Sequence, residues 1–330
     1  MTKFLIVNAD DFGLSPGVNR GIAEAFAAGG ITSASMMVNM PGFQDAVRLA
    51  RLNPFLGVGL HFNLTYGKPL SEPRLVPSLV NSSGAYLGIR SAAAWTDKDI
   101  ATELAAQWNR FVSTGLRPTH LDSHHLLHQN IPSVFNVMAS WAEREGIPMR
   151  RSQTPIEPNG QQAWTTDYIW LDTYHEEDGL LRLLRCLHNL PDGTTEIMCH
   201  PGYADDILRE LSEWANVREA EQAVFCHPSV GLTIQALGIC PIHYGMLIKK
   251  RCEMERIPIP SLAAAPTDLI PAIEPAPEPQ PLREKQQRLI HSGKNRKKKR
   301  SPAKRRRAGR ASPARGRRRQ RSRKRRKRPS

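Results

Sequence analysis

Cysteine is scarce in this 330-residue chain, long apolar runs are missing, aromatics make up only 6% of residues, and one long stretch contains no acid at all. The five cysteines (Cys186, Cys199, Cys226, Cys240, Cys252) are an odd number and none forms a Cys-x-x-Cys pair. That argues against a disulfide framework or a zinc ribbon and fits reduced thiols in a cytosolic protein. No apolar run approaches the roughly 18 residues needed to span a bilayer. The run Phe4-Leu5-Ile6-Val7, behind a single lysine, is too short for a signal-peptide core. The expectation is a cytoplasmic protein with no membrane partner. A glycine-rich phosphate cradle is also missing, which ranks metallophosphatase chemistry low.

The formal charge of +15 is not spread along the chain. Residues 294–328 hold 22 Lys and Arg and no acid, leaving 24 basic against 31 acidic residues elsewhere, a net of −7. Eight prolines between Pro258 and Pro281 read as an extended linker. The expected organisation is a body over residues 1–247, a proline-rich linker over 248–283, and a disordered Lys/Arg-rich tail over 284–330. The tail repeats Ser301-Pro302-Ala303-Lys304 as Ser312-Pro313-Ala314-Arg315. With no apolar periodicity it cannot pack a core. It reads as a solvated appendage, as an extension outside the functional protein, or as an arm binding nucleic acid non-specifically through phosphates.

In the body, strand and helix signals alternate, as in an α/β fold. Residues 4–7 are a buried strand ending in Asp10-Asp11. Pro16 opens a helix carrying Val18, Ile22 and Phe26, and residues 31–40 form a strand ending at Asn39. Over residues 57–64, Val58, Leu60, Phe62 and Leu64 alternate with Gly59, His61 and Asn63, placing His61 and Asn63 on one face. A long Pro/Ser/Gly-rich loop follows over residues 68–88. Residues 97–115 are an amphipathic helix with Ile100, Leu104, Trp108, Phe111 and Val112 inward. Asn130 is positioned to cap a helix from Pro132, and residues 147–150 are a weak strand. Residues 151–176 have no clean period, but hold Trp164, Tyr168, Trp170 and Tyr174, either core aromatics or a wall for a sugar ring. Strand residues 195–199 run into His200-Pro201-Gly202.

Polar groups therefore collect where strands end: Asp10, Asp11, His61, His124, His125 and His200. In a parallel barrel such ends share one rim. One carboxylate and two imidazoles make an open metal site, with positions left for water and a substrate oxygen. Asp10 and Asp11, on opposite faces of a strand, could divide the work: one on a metal that lowers the pKa of its water, the other accepting a proton. His61 could instead be a core histidine. Of His120, His124, His125 and His128, some must be orienting or loop residues. His200 is either a turn residue or a general acid for a leaving amine. Cys199 faces away from His200 and is not a nucleophile.

Four stretches, taken in order, carry a family resemblance: Asn8-Ala9-Asp10-Asp11-Phe12-Gly13, Gly59-Leu60-His61-Phe62-Asn63-Leu64-Thr65, Thr119-His120-Leu121-Asp122-Ser123-His124-His125 and Met198-Cys199-His200-Pro201. Over about residues 1–247 the chain resembles the YdjC-like carbohydrate deacetylases, and within them the chitooligosaccharide deacetylases. The resemblance implies a (β/α) barrel of the glycoside hydrolase/deacetylase type that removes acetyl groups from N-acetylglucosamine units of short chitin oligomers. It implies a divalent metal, usually Mg²⁺, on Asp11, His61 and His125, with Asp10 as general base, and it implies a homodimer. Leu126 stands where the family often has a third consecutive histidine. Imidazole chemistry alone favours Zn²⁺ or another transition ion. The basic tail has no counterpart in the family, and the rival reading is a nucleic-acid-binding protein with an inactive deacetylase-like body.

Overall fold

The structure, a computed structural model, describes residues 2–153 and 164–250. The expected linker and tail lie almost wholly outside these residues. In chain order the elements are β1 (Lys3–Phe12), α1 (Pro16–Ala27), β2 (Ser33–Met36), α2 (Phe43–Leu52), β3 (Gly57–Phe62), α3 (Asp97–Val112), β4 (Leu121–Ser123), α4 (Leu127–Asn130), α5 (Pro132–Glu145), β5 (Tyr168–Trp170), α6 (Gly179–His188), β6 (Gly193–Cys199), α7 (Asp206–Leu211), α8 (Ala215–Phe225), α9 (Pro228–Ala236), β7 (Cys240–Pro241) and α10 (Tyr244–Lys250). Among the described residues no helix is long and apolar enough to cross a membrane.

The strands form one parallel sheet in the order β4-β3-β2-β1-β6-β5, with β7 paired to the start of β1. The sheet curls, and its two ends are linked through the connecting chain. Leu121 in β4 exchanges backbone hydrogen bonds with Pro148 and Arg150, both at 3.0 Å, and Met149 N–H donates to the Trp164 carbonyl at 2.8 Å. This curled, half-barrel α/β sheet is of the fold class that the resemblance implied. Residues 147–150 contribute a bridge to Leu121, not a full strand.

Alternation along β1 sorts its side chains. Leu5, Val7 and Ala9 face the main apolar core under the helices, whereas Phe4 and Ile6 face a smaller cluster with Ile242, Tyr244, Met246 and Leu247. Asn8 and Asp10 continue the second face toward the C-terminal end of the strand. Parallel strands buried on both faces read as near-continuous apolar runs, and β1 is apolar from Phe4 to Val7 before Asn8 and the acids begin.

Local chemistry explains the helix ends. Ser15 caps α1 by accepting the Val18 N–H at 3.3 Å, and Thr96 caps α3 by accepting the Asp99 N–H at 3.2 Å. Asn130 does not cap α5. Its side chain donates back to the Leu126 carbonyl at 3.0 Å, and Ile131 holds the cap position without a side-chain bond. Val112, expected inward on α3, is exposed at the end of the helix. β2 is shorter than the apolar run suggested: its last pairing with β1 is Met36 opposite Phe12, closed by Met37 N–H donating to the Phe12 carbonyl at 2.7 Å.

The long loop is tied down by two buried acids on α3, one of which, Asp99, accepts from Ser78 N–H at 2.8 Å. Glu103 accepts from Leu70 N–H, Ser71 N–H, the Tyr86 hydroxyl and Gln107 Nε2, at 2.9, 2.9, 2.7 and 2.8 Å. Gln107 in turn clamps both backbone groups of Asn63. The loop thus helps to fix the chain just after His61.

Candidate metal centre

β1 carries its acids to the barrel mouth, but strict alternation breaks at Asp11. Its φ of 69° is left-handed, and the β1–β2 register shifts between Ala9 and Phe12. Such a bulge re-aims a side chain. Asp10 and Asp11, expected on opposite faces, are instead both reached by the His61 ring, which lies 3.2 Å from Asp11 Oδ1 and feels the Asp10 charge.

Asp11 Oδ1 is the meeting point. His61 Nε2 lies 3.2 Å from it and His124 Nδ1 2.9 Å. The ligand-capable atoms of Asp11, His61 and His124 all lie within 4.8 Å of one another, and all three residues are buried. Arg218 on α8 donates to Asp11 Oδ2. His61 Nδ1 is engaged by Asp122 Oδ1 at 2.8 Å and by Ser35 Oγ at 3.1 Å. An ionised carboxylate only accepts, so Nδ1 keeps its proton toward Asp122, and Nε2, turned toward Asp11, is the nitrogen at which a cation would replace a proton. A carboxylate oxygen and two imidazole nitrogens converging in this way match the donor set of an open divalent-cation site. These residues fit such an ion.

His125, the third ligand implied by the resemblance, is placed beside this group. Its ring stacks on His124 with centroids 3.9 Å apart, and its Nδ1 lies 3.0 Å from Thr65 Oγ1. The ring facing Asp11 is His124. His125 and Leu126 both adopt positive φ, 55° and 51°. This kinked backbone presents the two adjacent imidazoles side by side.

Asp10 is held by a residue that no motif pointed to. Arg150 NH1 donates to Asp10 Oδ2 at 2.7 Å and NH2 to Oδ1 at 2.6 Å. The same fully buried guanidinium reaches Asp122 Oδ2 at 3.1 Å and Glu196 Oε1 at 2.8 Å. Burial alone would raise the Asp10 pKa, but Arg150 outweighs it and holds the carboxyl below its usual value. Asp11 is lowered too: burial is overcome by His124 and Arg218. For His61 burial favours the neutral ring, yet Asp122 and Asp10 raise its pKa to about 10. A proton and a cation therefore compete for this imidazole. Glu196 goes the other way: burial exceeds the help of Arg150 and of the Tyr244 hydroxyl, and its pKa rises to about 7.

The other candidates separate cleanly. His200 follows β6, half-buried. Its N–H donates to Glu221 Oε2 at 2.6 Å, with Nδ1 4.0 Å from the same oxygen. His120 stacks on Tyr244 with centroids 4.1 Å apart and lies over Gly59, where a Cβ would come within 2.4 Å of the ring. His128 is bonded to Ser123 Oγ at 2.5 Å. Both are buried, and burial pushes each pKa down to about 3, so they are neutral packing groups. Burial pushes the Cys199 thiol well up, which supports its exclusion as a nucleophile. Tyr174 is fully buried in the main apolar core, whereas Trp170 and Trp164 are partly buried and pack against the two apolar clusters.

Comparison with known proteins gives a consistent picture. A family model described as YdjC-like protein matches residues 4–236. The chain is 44% identical over 248 residues to a carbohydrate deacetylase of Geobacillus stearothermophilus, covering 74% of this chain and 98% of the relative. It is 37% identical over 246 residues to a chitooligosaccharide deacetylase of Yersinia enterocolitica, covering 72% and 96%. A crystal structure from Enterococcus faecalis V583, described as a candidate cellobiose-phosphate cleavage protein, superposes with a TM-score of 0.69 at 30% identity, covering 75% of this chain and 99% of that one.

Proposed function

The chain belongs to the YdjC-like family, and from that premise we propose that it is a metal-dependent carbohydrate deacetylase. Its proposed substrates are short chitooligosaccharides, hydrolysed at the N-acetyl groups of their N-acetylglucosamine units. The observation that carries this reading is the buried Asp11–His61–His124 group set beside a second carboxylate fixed by an arginine. Asp11, His61 and one ring of the His124–His125 pair would hold the cation, with His124 the ring that faces Asp11. The proposed ion is Mg²⁺, with Zn²⁺ the alternative that two imidazoles favour. Bound there, a divalent cation supplies Lewis acidity to the acetyl carbonyl and to a water.

The protein's own groups do the proton work. Asp10, kept ionised and oriented by both Arg150 nitrogens, accepts the proton of the attacking water. His200 gives a proton to the nitrogen as the amide C–N bond breaks, so acetate and a free amine leave. Asp122 holds the His61 tautomer. No protein nucleophile or covalent intermediate is required. By resemblance the enzyme works as a homodimer. Its reduced cysteines suit the cytoplasm, and residues 294–328 are proposed to bind nucleic acid without sequence preference.

The test is acetate release from a panel of acetylated sugars, with and without a chelator. Chitobiose should yield acetate, and chelation should stop it. Failure on every acetylated sugar with Mg²⁺ and Zn²⁺ supplied would overturn the assignment.

A further inference from the structure

Two arginines reach the acids of the site, and they are used differently. Arg150 is wholly buried and every nitrogen is engaged, Nε by Glu196 and both Nη atoms by Asp10. Arg218 is buried too, yet only its Nη2 is engaged, donating to Asp11 Oδ2. Its Nε and Nη1 have no hydrogen-bond partner among the described residues. Gln222, one turn along α8, does not supply one, because its Oε1 is unpartnered as well. The Arg218 charge acts on the His124 ring and on the half-buried Tyr66 phenol, whose ring lies 4.6 Å from that of His124. The open donors therefore belong to the same cluster as Asp11 and His124. A guanidinium cannot shed its charge, and buried donors without an acceptor are costly. A cation between Asp11 and the imidazoles would satisfy acceptors only. The N–H groups of Arg218 need an oxygen that comes from outside the chain.

Deacetylation brings such an oxygen. The water oxygen bonds to the acetyl carbon, and the C–N bond then breaks with its electron pair going to the nitrogen, which takes a proton. Acetate and an amine leave. The acetyl oxygen is neutral in the amide, becomes negative as water adds, and departs as half of a carboxylate. We propose that Arg218 is a catalytic residue whose unpartnered N–H groups donate to this oxygen as it becomes negative and to the acetate that results. The Nη2 bond to Asp11 presets the guanidinium, so it need not reorganise when the charge appears. A donor that gains strength only after water adds lowers the barrier without tightening substrate binding. This inference rests on the deacetylase reading and gives it a second positive group that no motif marks.

The test is a ¹³C NMR titration of the full chain with labelled acetate at saturating Mg²⁺, with acetamide as the neutral control. Equilibrium dialysis checks that each protein carries the ion, and circular dichroism that it is folded. Arg218→Met should weaken acetate binding about tenfold and leave acetamide unmoved. Arg218→Lys, which keeps the charge but not the planar fork, should lose less; it carries the comparison if the methionine variant does not fold. In turnover of chitobiose, Arg218→Lys should lower kcat about 10²-fold with KM nearly unchanged. A residue that merely fixes Asp11 would weaken Mg²⁺ binding and, with the ion saturating, leave acetate binding unmoved, which overturns the proposal. Equal binding of acetate and acetamide by the wild type overturns it too. Acetate release by the wild type with acetate binding independent of Arg218 would sink this role and keep the deacetylase. Acetate binding that depends on Arg218, without acetate release from any acetylated sugar, would keep the carboxylate site and sink the deacetylase.

Discussion

Replacing Glu196 with Gln should change stability by an amount that depends on pH. The carboxyl is fully buried between the Arg150 guanidinium and the Tyr244 hydroxyl, and its pKa is raised from 4.5 to about 7. A raised carboxyl means that the folded protein holds a proton which the unfolded chain has released. Folding is therefore progressively disfavoured as pH rises from about 4.5 to about 7, and the penalty is constant above that. At roughly 1.4 kcal/mol per pK unit, the full penalty is about 3 kcal/mol. Gln resembles the protonated acid and has no such penalty. Urea unfolding of wild type and Glu196→Gln at about pH 4.5 and about pH 8 measures it, and contributions common to both proteins cancel in the difference. The gap in unfolding free energy should grow by about 3 kcal/mol in favour of the variant, a shift of about 1 M in relative midpoint. A gap equal at both pH values would show that Glu196 ionises normally and that the charge balance around Arg150 is misread. Arg150→Met supplies the contrast. It leaves Asp10, Asp122 and Glu196 buried without their shared cation, and should cost about 3–5 kcal/mol, a large part of a domain's total stability.

Further outcomes follow from the same geometry. His61→Ala should abolish cation binding and acetate release together, and equilibrium dialysis on His124→Ala and His125→Ala should show which ring of that pair holds the ion. Asp10→Asn should retain the cation but lower kcat about 10²–10⁴-fold; full activity would remove Asp10 from its role. His120 and His128, neutral at about pKa 3 in the fold, accept protons near 6.5 when unfolded. Their stabilisation is thus present above pH 6.5 and lost as pH falls toward 3. His128→Gln should reduce that slope by about 1.4 kcal/mol per pH unit, read from unfolding at stepped pH. Truncation after Glu255 should leave chitobiose deacetylation intact and abolish retention on immobilised DNA at low salt; a folded but inactive truncation would assign the tail to the enzyme.

What the sequence revealed and what it concealed divide along local and non-local lines. Apolar runs ending in acids or histidines located β1, β3 and the rim, because strand identity and end chemistry are written in neighbouring residues. β5 was invisible, since three residues with Tyr168 exposed and Ile169 buried carry too little period. Arg150 appeared in the sequence only as the end of a weak strand, yet it lies at the centre of the acids. Only the bridge between Leu121 and Met149, which depends on the closure of the sheet, brings it inside. Arg218 was hidden in the same way: on α8 it looks like a polar helix residue, and its contact with Asp11 spans 207 positions. Adjacent imidazoles defeat sequence reasoning for another reason. Whether His124 or His125 faces the pocket depends on two left-handed residues that no local composition signals.

Those backbone angles have a consequence for how this protein could change. Among the described residues, the non-glycine positions with positive φ are Asp11, His125 and Leu126: a proposed ligand and the two residues that follow His124. Each costs on the order of 1 kcal/mol or more relative to a relaxed alternative. Glycine or asparagine at Leu126 would hold the same left-handed angle at lower cost and leave the neighbouring rings in place. Directed evolution for a sturdier catalyst should therefore gain at Leu126 while leaving Asp11 and His125, whose side chains the site uses, unchanged.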